Sequence, residues 1–392
     1  ASRHDSVRAE RPRTGPMLRS AVPPAAPAPP RRRCLPAAPG PLLAAVALAL
    51  LVGCRGAETP VYTTQFVAFD AAVDLSIVGK LKEDAQEASA EVEQDFLFLD
   101  YATDAWDPGP MTRVNELLPK GEPFAAPPSL LPLVRQSQAL ALKTRDLFNP
   151  AIGHLLRLWG FDAPEPECRP PPAAAAIERL VAQAPTMADL YLDGIMLQSD
   201  SAAVRLDFDG IEIGYAMDLA MSNLRERGIR HAMLNRSGDV RTMGDRAGRP
   251  WRVPVRRGSG AGVLGIIDVV GDMAVFTSSI HARNFIYDGQ TYHDVLDPRS
   301  GRPAAGLQAV TVMHEGSAAV ADAAADALMV AGLKAWGDIA QRLDLRYVLL
   351  IDDAGTVHMT PAMAERLKLI DERTDVALLR LETPTDTGDA GA

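Results

Sequence analysis

The chain has 392 residues, a formal net charge of -10 and 47% hydrophobic residues, enough for one large buried core or two modest ones. An acidic balance with few basic clusters argues against nucleic acid as a partner. Of three cysteines, two precede residue 55; Cys168 is then alone in the body, which excludes an internal disulfide framework.

The first readable segment is a leader. Arg31-Arg32-Arg33 precede a short apolar run that closes on Leu51-Val52-Gly53-Cys54. Basic, then apolar, then small residues is the layout of a secretory signal, and the apolar run is short of the about 20 residues that a spanning helix needs. Leu51-Val52-Gly53-Cys54 has the form of a bacterial lipobox, in which Cys54 is lipidated and becomes the new N-terminus. The alternative is a plain signal peptide or an N-terminal anchor that contains a cysteine. The lipobox reading predicts a leader and signal peptide over 1–53, a lipid-anchored linker over 54–64, and attachment to a bacterial cell membrane on its periplasmic side.

Residues 65–70 and 73–79 predict strands, and 80–99 a long helix with its charges to one side. Trp106-Asp107-Pro108-Gly109-Pro110 is turn-rich, 130–146 reads as a second helix, and Leu147-Phe148-Asn149-Pro150 enters a third near 155–159. After a Pro/Ala-rich segment over 163–176, a strand is expected over 204–208. Asp209-Gly210 turns it into an amphipathic helix over 215–227, with Met217, Leu219, Ala220 and Leu224 on one face and Gly228 at its end. Strands follow over 232–235, 251–255, 262–270 and 273–277, then a hairpin of 284–287 and 291–296 around Asp288-Gly289. A strand over 309–313 precedes an Ala-rich helix, and 347–351 is the last strand. Strands in antiparallel runs with interspersed helices give an α+β fold: a single domain over 65–371 with antiparallel sheets and packed helices, then a flexible acidic tail over 372–392.

The Ala-rich helix carries Asp322 and Asp326 four residues apart, hence on one face. Paired oxygens on a small, apolar helix suit a hard divalent cation; capping or solvating the helix is the plainer role. Upstream, Thr291 to Leu296 reads as a strand that ends in the turn Asp297-Pro298-Arg299-Ser300-Gly301.

These pieces also occur in a familiar order. Leu147-Phe148-Asn149-Pro150, Leu206-Asp207-Phe208-Asp209-Gly210 through Gly214-Tyr215-Ala216-Met217-Asp218, Ser237-Gly238-Asp239, Phe276-Thr277-Ser278, the Asp297-Pro298 turn and the Asp322 helix together resemble the FAD:protein FMN transferase (ApbE) family of periplasmic lipoproteins. The resemblance spans nearly the whole chain after the leader. It implies FAD as substrate, Mg2+ as cofactor, and transfer of FMN to a Thr or Ser hydroxyl of an acceptor subunit in a membrane electron-transfer complex. By position it implies Gly210, Asp322 and Asp326 at the metal, Trp106, Leu147, Phe148, Asn149, Asp207 and Leu296 at FAD, and Asp294 or His293 as the base. Taken alone, Trp106 and Phe148 read more often as core residues, and Asp207 either binds an adenine or ribose group or caps the helix.

Departures from the family pattern concentrate in the same places. Asp294 stands where the family has His, Asp326 where it has Thr, and Ile213 where it has Lys; the usual Thr-Ser-Gly run is Thr277-Ser278-Ser279. His293 is one residue off and points to the other face of a strand; His281 is a further candidate base. Flavin binding without transfer, and hydrolysis of FAD to FMN and AMP, are the alternatives to transfer.

Overall fold

The computed structural model describes residues 59–163, 165–258 and 262–380. The predicted leader, Cys54 and residues 381–392 lie outside them. Among the described residues no helix is long and apolar enough to cross a membrane.

The chain opens with the hairpin β1 (Val61–Ala68) and β2 (Ala71–Val78), followed by α1 (Lys82–Thr103) and α2 (Pro110–Leu117). Next come β3 (Phe124–Ala125), α3 (Leu131–Thr144), α4 (Gly153–Trp159), α5 (Ala174–Val181), β4 (Leu190–Asp193), β5 (Met196–Ser199) and α6 (Glu212–Glu226). The strand-rich half holds β6 (Ala232–Arg236), β7 (Asp239–Met243), β8 (Trp251–Arg256), β9 (Val263–Val269), β10 (Met273–Ser279), β11 (Asn284–Tyr287), β12 (Gln290–His293), β13 (Leu296–Asp297), β14 (Arg302–Pro303) and β15 (Leu307–Glu315). The chain ends with α7 (Ala318–Arg342), β16 (Tyr347–Asp352), β17 (Val357–Met359), α8 (Pro361–Arg366), β18 (Leu367–Leu369) and β19 (Val376–Leu378).

A nine-stranded sheet in the order β1-β2-β6-β7-β10-β15-β16-β17-β19 forms the centre. Its pairs are antiparallel except β17 with β19. Alternation along β10 shows how the layers stack: Ala274 and Phe276 face the helices α1, α6 and α7, while Met273 and Val275 face the small sheet β18-β9-β8 through Trp251, Val253 and Ile267. Period-2 side-chain direction on one strand thus supplies two cores. The α+β architecture with antiparallel sheets and packed helices is the one expected.

Three local expectations change. Residues 204–208 form no strand; Leu206 is bonded in both directions by the Asn115 side chain, at 2.8 and 2.7 Å, and Arg205 makes a lone bridge to Ile152. The segment's backbone is satisfied by a side chain and a loop, so no ladder is needed. The strand expected over 291–296 ends at His293, opposite Asn284; the Asp294 amide still reaches the Arg283 carbonyl at 3.3 Å, and beyond it Leu296 and Asp297 pair with Pro303 and Arg302 instead. Finally, part of the expected loose tail is ordered: Val376–Leu378 pairs along Val357–Met359.

Candidate active site

The crossing of α6 and α7 sets the site. Gly214 leaves room for it: a Cβ there would lie 2.6 Å from the Ala318 carbonyl and 2.7 Å from Ala319 Cα. Small residues over Ala318 to Ala327 allow the same closeness along α7. The α7 N-terminus rests on α6 through Asp218, whose carboxylate accepts from Ser317 Oγ at 3.0 Å and from the Ala318 and Ala319 amides at 2.8 and 3.2 Å. A carboxylate at a helix start meets both the free amides and the helix dipole. Buried Arg241 holds Asp218 in turn at 2.9 Å.

This contact aims α7 so that Asp322 Oδ2 accepts the Gly214 amide at 3.0 Å. One turn later, Asp326 Oδ1 accepts from Ser278 Oγ at 2.6 Å, and its other oxygen packs on Gly210, where any Cβ would overlap it. The end of β10 is fixed from the other side, since the Thr277 amide donates to Asp239 Oδ1 at 3.0 Å. Together these elements wall a cleft lined by Leu147, Phe148, Asn149, Asp207, Asp209, Gly210, Ile213, Asp239, Ser278, Asp294, Leu296, Asp322 and Asp326, among others.

Charge in this cleft is crowded. Burial, with Asp239 and Asp326 adding to it, pushes Asp322 well above the ordinary carboxylate range. Burial and then Asp209 do the same to Asp294. Burial raises Asp326 to about 7, against the lowering effect of the Ser278 hydrogen bond. It raises Asp207 and Asp239 to about 6. Arg283 is set among them, 2.5 Å from Asp209 and 4.0 Å from Asp294, while Arg205 also acts on Asp207 and Arg236 and Arg256 on Asp239.

Carboxylates held together against their own repulsion are the donor chemistry of a hard cation. Among the described residues no three His, Cys, Asp or Glu side chains converge as a ligand set. The oxygens that could hold a hard cation are the Asp322 and Asp326 carboxylates, the Ser278 hydroxyl beside Asp326 and a backbone oxygen near Gly210.

Nine of the residues expected at the site line this cleft: Leu147, Phe148, Asn149, Asp207, Gly210, Asp294, Leu296, Asp322 and Asp326. Asn149 has a local duty as well, donating to Pro185 O at 2.8 Å and accepting from the Ala151 amide at 3.0 Å. Two do not line it. The Trp106 ring lies under the Arg205 guanidinium, 4.6 Å from its centroid. His293 is 3% exposed, with Nε2 3.0 Å from Ala304 O, and lines a separate cavity with Trp159 and Tyr292. Strand alternation turns it away from the side that Asp294 faces. His281, the further candidate base, is exposed and outside the cleft. Asp209, Asp239 and Arg283 had not been singled out as site residues. The Ser237-Gly238-Asp239 turn was the available signal for the second; nothing local marks Arg283.

The fold and cleft define an α+β protein whose cleft is lined by carboxylates and apolar side chains. The ApbE family model matches residues 69–349, and the chain belongs to that family. A Rhodobacter capsulatus protein named FAD:protein FMN transferase is 34% identical over 350 residues, covering 88% of this chain and 66% of the relative. A Vibrio cholerae protein of the same name is 30% identical, covering 59% of this chain and 69% of the relative. Among solved structures, the ApbE protein of Thermotoga maritima superposes with a TM-score of 0.69 at 25% identity, covering 76% of this chain and 96% of that one. The flavinyl transferase ApbE of Pseudomonas stutzeri does so with a TM-score of 0.69 at 27% identity, covering 80% and 98%.

Proposed function

We propose that this protein transfers FMN from FAD to a Thr or Ser hydroxyl of an acceptor subunit in a membrane electron-transfer complex, with Mg2+ and with release of AMP. The observation that carries the reading is the shared cleft of Asp294, Asp322 and Asp326 with Leu147, Phe148 and Leu296, in a chain whose relatives carry the transferase name.

Leu147, Phe148, Ile213 and Leu296 offer the apolar walls of the cleft to the flavin. Asp322, Asp326 and the oxygens near them would hold Mg2+, which supplies neutralisation of the phosphate charge. Asp294 takes the proton of the acceptor hydroxyl. The hydroxyl oxygen bonds to the FMN phosphorus, the anhydride bond breaks, and AMP leaves with the bridging oxygen and its electron pair. Burial suits Asp294 to this task, because a base with a raised pKa takes a proton more readily at neutral pH than an ordinary carboxylate.

One observation favours binding without transfer: among the described residues the cleft lining holds six aspartates and no Lys or Arg, a weak welcome for a pyrophosphate. Accounting for AMP, free FMN and protein-bound flavin after incubation with FAD, Mg2+ and acceptor separates the cases. AMP equal to bound flavin supports transfer, AMP equal to free FMN means hydrolysis, and no AMP means binding alone.

Lipidation of Cys54 and periplasmic anchoring belong to the same reading and rest on the lipobox-like residues. Metabolic labelling with palmitate, present in the native chain and lost in Cys54→Ala, tests them.

A further inference from the structure

We propose that Arg283 is the positioning residue of the cleft, one guanidinium that fixes Asp294 relative to Asp209 and ties both to the Phe161 carbonyl. The proposal rests on Asp294 being the base, as argued above.

The geometry is that of a hub. Arg283 Nη1 donates to Asp209 Oδ2 at 2.5 Å, Nη2 donates to Phe161 O, and the main-chain carbonyl accepts the Asp294 amide at 3.3 Å. Its three partners come from the loop after α4, the loop before α6 and the segment after β12, so a single side chain joins three walls. The side chain is 19% exposed, and its buried Nε has no partner; the Nη groups alone hold it.

Its two carboxylates are held differently. Asp209 is hydrogen-bonded, whereas Asp294 Oδ2 stands 4.0 Å from Nη1, too far for a hydrogen bond and close enough for attraction. Asp294 is therefore aimed by charge and by its own backbone while its carboxylate stays free to take a proton. Without the guanidinium, Asp209 and Asp294 would face each other uncompensated, and the segment after β12 would keep only its main-chain bond to residue 283. Lysine cannot substitute fully, because an ammonium lacks the planar fork that serves Phe161 and Asp209 together.

The test compares the native protein with Arg283→Gln and Arg283→Lys in amide exchange, FAD affinity and the rate of AMP release. Arg283→Gln should speed exchange in both 207–211 and 292–296. It should cut kcat by about 100-fold, the scale of a 1 Å misplacement, while FAD affinity moves by less than about threefold. Arg283→Lys should recover part of kcat, and adding Asp209→Asn to Arg283→Gln should cost little more, because the two act as one unit. Unchanged exchange in either segment would overturn the proposal, as would FAD affinity falling in step with kcat. If the native protein releases no AMP, the transfer reading fails by itself and the exchange result still decides the role of Arg283.

Discussion

The Gly214 amide donates to Asp322 Oδ2 at 3.0 Å, and this bond exists because Gly214 has no side chain where α6 crosses α7. Fold packing and site geometry meet at this one pair. A Cβ at Gly214 would press on Ala318 and Ala319 backbone, which cannot rotate aside as a side chain would. Gly214→Ala should therefore destabilise the protein by about 1–3 kcal/mol. It should also weaken Mg2+ binding by pushing Asp322 off its donor. Chemical unfolding and Mg2+ titration of the same variant check both.

Asp322 and Asp326 are predicted to act as a pair. Asp322→Asn or Asp326→Asn should each weaken Mg2+ by more than about tenfold without loss of fold, since Asn keeps the shape and removes the charge that crowds the cleft. The metal-free variants should be as stable as the native protein or more so. Calorimetric titration with Mg2+ and thermal melts measure the two effects.

pH should act on the metal and on stability in opposite senses. Asp326 rises to about 7 by burial, so below that pH it is protonated and Mg2+ affinity should fall. For the metal-free protein the folded form binds protons that the unfolded form does not, between the ordinary carboxylate range and about 7. The resulting stability is fully present below the unfolded value and is lost as pH rises through the folded one. Asp207 and Asp239, both raised to about 6, add in the same direction. Lowering the pH from about 8 to about 6 should raise the melting temperature of the metal-free protein, and Mg2+ should stabilise more at the higher pH.

Asp294→Asn keeps the size of the side chain and removes the proposed base. Transfer should fall by about 10²- to 10⁴-fold with FAD binding retained. Single-turnover rates and a flavin-fluorescence titration separate the two quantities.

The sequence shows this site unevenly, for physical reasons. Asp322 and Asp326 are legible because i, i+4 spacing on an Ala-rich helix fixes their common face whatever surrounds it. The Asp288-Gly289 turn gives away its hairpin in the same local way. That His293 and Asp294 face opposite sides also follows from strand geometry alone. Residues 204–208 mislead because their alternation is that of a strand, while their hydrogen bonds go to Asn115 and the 150–153 loop, which lie far off in sequence. Arg283 is hidden for the same reason: Phe161 and Asp209 are distant in the chain, and only the folded backbone brings them to one guanidinium. Trp106 is visible in the sequence as an aromatic in a turn-rich loop, but the cation–π contact that Arg205 makes with its face is not, since the two are distant in the chain.

Intact-mass spectrometry of a Thr-containing acceptor domain, incubated with this protein, FAD and Mg2+, tests the central claim most directly. The account predicts an FMN-sized addition on the acceptor that chelation of Mg2+ prevents and that Asp294→Asn slows severely. An acceptor that stays unmodified while the protein binds FAD and Mg2+ would contradict it, as would an addition indifferent to both chelation and the Asp294 substitution.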